Sequence, residues 1–150
     1  MVFYRSVKYL FFAFILVITS CEKDNPSEFS NVPQIEFVSL NPTIVTESQG
    51  PIYFTVSYTD GDGDLGENTP DVKNLFLKDL RNNIEYEYRL QQLAPDGSNI
   101  AIQGTFEIEL NNTTIIDGSN EQTFSYEIRV IDRAGNQSNI IESTPLTVSN

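Results

Sequence analysis

From Gln34 to the C-terminus, apolar and polar residues alternate with a period of two, which marks strands with one buried face. Ile35, Phe37 and Val38 outline a first strand. Ile52, Phe54, Val56 and Tyr58 alternate with Tyr53, Thr55, Ser57 and Thr59 in a second. Leu75 and Leu77 mark a third, and the turn-forming Arg81-Asn82-Asn83 leads into a fourth carrying Ile84, Tyr86, Tyr88 and Leu90. Phe106, Ile108 and Leu110 alternate with Glu107 and Glu109, and Phe124, Tyr126, Ile128 and Val130 alternate with Ser125, Glu127 and Arg129. A last strand runs from about Asn139 to Val148, where Pro145 suits an edge or a bend. No segment carries a helical period. About seven alternating strands predict an all-β fold, a single antiparallel sandwich over residues 34–150. Asp96-Gly97-Ser98-Asn99 and Asp117-Gly118-Ser119-Asn120 read as turns, because Asp-Gly supplies turn geometry by itself.

The N-terminus breaks this pattern. Tyr9 to Ile18 is an unbroken apolar run of ten residues behind Arg5 and Lys8. As a helix it would span roughly 15 Å against a bilayer core of about 30 Å, so it reads as the apolar stretch of a signal peptide. Ile18-Thr19-Ser20-Cys21 matches the lipobox, in which small residues let a peptidase cut before a cysteine whose thiol accepts lipid. Residues 1–20 are therefore expected to be a lipoprotein signal peptide and Cys21 the lipidated first residue of the mature chain. Residues 21–33 are polar, with Pro26 and Pro33, and read as a flexible tether. Cys21-Glu22-Lys23-Asp24 resembles the start of mature lipoproteins of the Bacteroidota, which implies the outer membrane and its outer face.

Charge and missing residue types narrow the chemistry. The chain carries 9 basic and 21 acidic residues. Arg5 and Lys8 lie in the leader, so residues 21–150 keep seven basic residues against 21 acidic ones, a net charge of −14. Such a domain repels nucleic-acid backbones, and no nucleic-acid partner is expected. There is no His, and Cys21 is the single Cys, so imidazole- and thiolate-based catalysis and disulfides are excluded, and a zinc site is not expected. Oxygen ligation of Ca²⁺ or Mg²⁺ remains.

Asp60-Gly61-Asp62-Gly63-Asp64-Leu65-Gly66 is the most distinctive stretch of the mature chain. Glycines between the acids let the chain curl so that alternate side chains converge. Two carboxylates about 6 Å apart repel by roughly 1–3 kcal/mol at effective dielectrics of 20–60, so a compact set of three calls for a cation. The stretch resembles the first half of Ca²⁺ loops of the EF-hand, dockerin and thrombospondin type, where acids at positions 1, 3 and 5 supply oxygens. Leu65 stands at position 6, Gly66 one later and Asp71 at position 12, and no helices flank the loop. The resemblance thus implies a Ca²⁺ loop grafted on a sandwich, with a solvated Asp-Gly loop that holds no ion as the alternative.

Val130-Ile131-Asp132-Arg133-Ala134-Gly135-Asn136-Gln137-Ser138 resembles the closing hairpin of bacterial immunoglobulin-like domains, which implies an immunoglobulin-like sandwich. Gly135 would supply the positive φ of its turn and Asp132 would cap it. In such a sandwich the loops after the second and sixth strands share one end. Asp132 and Asn136 are then expected to complete a metal shell around Asp60, Asp62 and Asp64, with Glu67 and Asp71 in reserve.

The expected function is a membrane-anchored, non-enzymatic binding or accessory module with a structural Ca²⁺ loop. Its candidate partners are the membrane, through the lipid anchor, and a glycan or an outer-membrane protein. A structural spacer or assembly subunit is the alternative. A carboxylate-dependent glycan hydrolase ranks below both, because Glu107, Glu109 and Glu127 fall on a solvated strand face.

Overall fold

The computed structural model describes residues 29–150. The expected signal peptide (1–20), Cys21 and most of the tether lie outside the described residues. Among the described residues no helix is long and apolar enough to cross a membrane.

The fold is all-β. Among the described residues ten strands follow in order: β1 (Gln34–Asn41), β2 (Ile44–Thr46), β3 (Ile52–Asp60), β4 (Leu75–Asp79), β5 (Glu85–Tyr88), β6 (Ile102–Leu110), β7 (Glu121–Phe124), β8 (Tyr126–Val130), β9 (Ile141–Glu142) and β10 (Leu146–Ser149). They form three sheets, with orders β1-β3-β6, β2-β10-β7 and β5-β4-β8-β9. One residue, Ser125, separates β7 from β8, and the segment 143–145 separates β9 from β10. The second and third sheets are thus joined through two consecutive strand pairs.

The period-two pattern fixes which side chains enter the core. In β3, Ile52, Phe54 and Val56 are fully buried, and so are Leu77 in β4 and Tyr126, Ile128 and Val130 in β8. The ring of Tyr126 meets that of Phe54 edge-on at 5.2 Å, joining the β5-β4-β8-β9 sheet to the β1-β3-β6 sheet. Burying side chains of this size contributes about 1.5–3 kcal/mol each. A bulge falls between Phe37 and Ser39 in the β1–β3 pairing, and it turns Val38 outward to 53% exposure.

The structure departs from the sequence pattern in four places, one of them the last expected strand (about Asn139 to Val148), which Ser143, Thr144 and Pro145 divide into β9 and β10. β2 is an extra strand of three residues, and it pairs with β10 in parallel, whereas every other strand pairing is antiparallel. The sixth expected strand is cut at Ser125. There the Ser143 hydroxyl accepts from the Tyr126 N–H at 3.1 Å, and the Ser143 N–H donates to the Tyr126 carbonyl at 2.9 Å. The fourth expected strand shortens to four residues because the turn takes Ile84, whose N–H donates to Asn82 Oδ1 at 2.9 Å, leaving its side chain exposed.

Candidate metal centre

β3 builds the first part of the site. The alternation that sends Ile52, Phe54 and Val56 inward also sends Asp60 inward, and its carboxylate is fully buried at the end of the core. The chain then curls. Gly63 has φ +73° and Gly66 has φ +90°, both in the left-handed region that glycine adopts without strain. A Cβ on Gly63 would lie 2.4 Å from the Ile100 carbonyl oxygen, and one on Gly66 would lie 2.2 Å from that of Gln91. These two glycines therefore serve both the curl and the close approach of the segment before β6. Leu65 between them is fully buried and pins the loop to the core. This explains the departure at position 6 of the Ca²⁺-loop pattern: Leu65 anchors, and Gly66 takes the turn.

Asp60, Asp62 and Asp64 each offer one carboxylate oxygen, and these three oxygens all lie within 4.8 Å of one another. Two of the carboxylates also accept from backbone N–H groups. Asp60 Oδ2 accepts from the Leu65 N–H at 2.9 Å, and Asp64 Oδ2 accepts from the Ala134 N–H at 2.9 Å. The Oδ1 atoms of Asp60, Asp62 and Asp64 are buried and accept no hydrogen bond from the protein. Buried anionic oxygens without partners are strongly unfavourable. At this spacing, ionised carboxylates repel on the order of 3 kcal/mol per pair at an effective dielectric of about 20.

The local charge is visible in the acids themselves. Burial, with the Asp62 and Asp64 carboxylates adding, pushes Asp60 up to about 6 against the pull of the Leu65 N–H. Burial followed by the Asp132 and Asp62 charges raises Asp64, opposed by the Ala134 N–H and by Arg133. Burial and then Asp60 raise the neighbouring Tyr58 phenol.

A divalent cation fits this arrangement. Ca²⁺–oxygen distances of about 2.3–2.6 Å place two oxygens on one ion at most about 5 Å apart. The donors are all hard oxygens, as Ca²⁺ or Mg²⁺ prefers.

The turn after β8 packs on this loop, as expected from the sequence. Gly135 has φ +90°, and its N–H donates to the Asp132 carbonyl at 3.2 Å. The two carboxylate oxygens of Asp132 accept from the backbone N–H and side-chain amide of Asn136 at 2.7 and 2.9 Å. Asp132 thus caps its own turn and acts on Asp64 through charge, and the three converging oxygens come from Asp60, Asp62 and Asp64 without it. Of the reserve residues, Glu67 accepts from the Thr69 N–H at 2.8 Å, which holds its carboxyl below the usual range, and Asp71 is exposed.

Three supports have no local sequence signal. The Arg133 guanidinium donates to the Gly66 carbonyl at 2.9 Å, and its backbone N–H donates to the Asp64 carbonyl at 3.2 Å. The segment before β6 walls the loop, with the Glu67 N–H donating to the Leu90 carbonyl at 2.9 Å. The Gly61 N–H donates to the Ser30 carbonyl at 2.8 Å.

No known family model and no curated protein matches this chain. A solved structure described as Northeast Structural Genomics Consortium target SoR45 is similar at 11% identity over 79% of this chain and 83% of that chain, with a TM-score of 0.31. That likeness is too slight to bear on fold or function.

Proposed function

We propose that this chain is a lipid-anchored, non-enzymatic binding or accessory module of the outer membrane, and that structural Ca²⁺ locks one end of its domain. The observation that carries the Ca²⁺ reading is the set of three buried, unpartnered oxygens on Asp60, Asp62 and Asp64. The role is rigidification. The ion would sit where β3 leaves the core and would hold that exit against the turn after β8. The architecture behind it is read as an immunoglobulin-like sandwich. One layer is β1-β3-β6, the other combines the two remaining sheets, and β2 lies parallel to the last strand.

The anchor rests on the apolar run, the lipobox and Cys21. The outer membrane and its outer face rest on the resemblance of Cys21-Glu22-Lys23-Asp24, and a glycan or an outer-membrane protein is the proposed partner class. A groove of about 450 Å³ on the outer face of β1-β3-β6 is lined by Gln34, Glu36, Ser57, Thr59, Gln103 and Thr105. Its single acid supports a binding role over glycoside hydrolysis, which needs two facing carboxylates. One observation favours the spacer or assembly reading instead: β6, nine residues long, is an outer strand of its sheet.

Thermal unfolding in Ca²⁺ and in excess chelator tests the proposal. Ca²⁺ raises the melting temperature by several degrees if it binds the folded state alone. Identical melts in the two conditions would rule out a structural ion.

A further inference from the structure

The Asp60–Asp64 loop is tied to the N-terminal segment as well as to the turn after β8. Strand pairing between β1 and β3 ends at Gln34 and Thr59. Beyond it the two chains stay together, because the N–H of Gly61, between the first two acids, donates to the Ser30 carbonyl at 2.8 Å. The Ser30 hydroxyl in turn accepts from the Val32 N–H at 3.0 Å, and Pro33 is buried. The direction of the Gly61 N–H is set by the backbone between Asp60 and Asp62, whose carboxylate oxygens lie within 4.8 Å of each other.

We infer that occupancy of the acidic loop controls whether the segment Phe29–Pro33 stays docked on the domain, so that the cation acts as a clamp on the N-terminal chain. This rests on the reading of the loop as a Ca²⁺ site, which the fully buried Asp60, with its Oδ1 left without a hydrogen-bond partner, supports independently of the clustering of acids. With the ion bound, the three carboxylates are drawn together and Gly61 presents its N–H to Ser30. With the ion removed, their repulsion spreads the loop, Gly61 turns away, and the segment loses a backbone bond beyond the last β1–β3 pair. Ser30 is nine positions after Cys21. Nine extended residues span at most roughly 32 Å. A clamp at this point would set how a domain anchored at Cys21 is held relative to the membrane.

Amide hydrogen exchange on the full chain in detergent micelles tests the clamp, with Ca²⁺ as the probe and chelator as the reference. The Gly61 and Val32 amides are expected to exchange at least tenfold more slowly in Ca²⁺, beyond any slowing of the β10 amides, which report global stability. D62N is expected to abolish that difference. Calorimetric Ca²⁺ binding with slowed Gly61 exchange but unchanged Val32 exchange would overturn the clamp and leave the ion site standing. Equal slowing of Val32 and β10 would also overturn it. No Ca²⁺ heat would overturn both readings.

Discussion

The Arg133 guanidinium reaches across 67 positions of sequence to donate to the Gly66 carbonyl at 2.9 Å. Together with the Ala134 N–H on Asp64, it locks the turn after β8 onto the acidic loop. A charged hydrogen bond of this kind contributes about 1.5–3 kcal/mol. R133A is expected to weaken Ca²⁺ binding by about tenfold and to lower stability even in chelator. R133K should recover only part of this, because an ammonium group lacks the guanidinium fork. Calorimetric titration and urea unfolding of the two variants check this.

The glycines of the loop and those of the outer turns separate conformational strain from crowding. Gly66 and Gly118 both have positive φ, +90° and +75°. A Cβ on Gly66 would collide with the Gln91 carbonyl, whereas nothing lies within 4 Å of one on Gly118. G118A is expected to cost about 1 kcal/mol, the left-handed penalty alone. G66A should cost at least about 3 kcal/mol, since a backbone oxygen must also move. Urea denaturation of both variants gives the comparison.

Far from the loop, Asp79 and Arg81 form an ion pair at 2.6 Å with side-chain exposures of 1% and 8%. Arg81 also donates to Thr113 Oγ1, the Thr114 carbonyl and Gln122 Oε1, and its guanidinium lies 3.3 Å from the Phe124 ring centre. Removing one member strands the other charge, so D79A is expected to cost about 3–5 kcal/mol. A loss under about 1 kcal/mol in urea unfolding would contradict this role.

Burial pushes the Tyr126 phenol up to about 12, with the Thr113 hydrogen bond opposing. The unfolded chain ionises this group near pH 10, so its contribution is intact below pH 10 and is lost as the pH rises toward 12. Alkaline titration by ultraviolet absorbance should show a late phenol in the native protein, and Y126F should remove it.

Much of this fold was legible because alternation reports a buried face directly. Ile52–Thr59 and Phe106–Leu110 read as strands and are strands, and Gly135 takes the positive φ expected of it. β2 was not legible, since three residues carry no period and its partner lies about a hundred residues away. Nor was the break at Ser125, where the Ser143 hydroxyl interrupts an otherwise unbroken pattern. The acids were found by spacing alone. Their supports, Arg133, Ser30 and the segment before β6, were not, because they meet the loop only after the chain has folded.

If Asp60, Asp62 and Asp64 together form one cation site, D62N removes a third of its carboxylate charge. Asparagine keeps the shape of aspartate and removes one charge. In calorimetric titration the wild-type chain should bind one Ca²⁺ at the cluster and D62N should bind it at least tenfold more weakly. In chelator the order of stability should reverse, with D62N melting above wild type because a repelling carboxylate is gone. Equal Ca²⁺ affinity in the two chains, or a D62N chain that melts below wild type in chelator, would show that the three aspartates do not form a shared cation site.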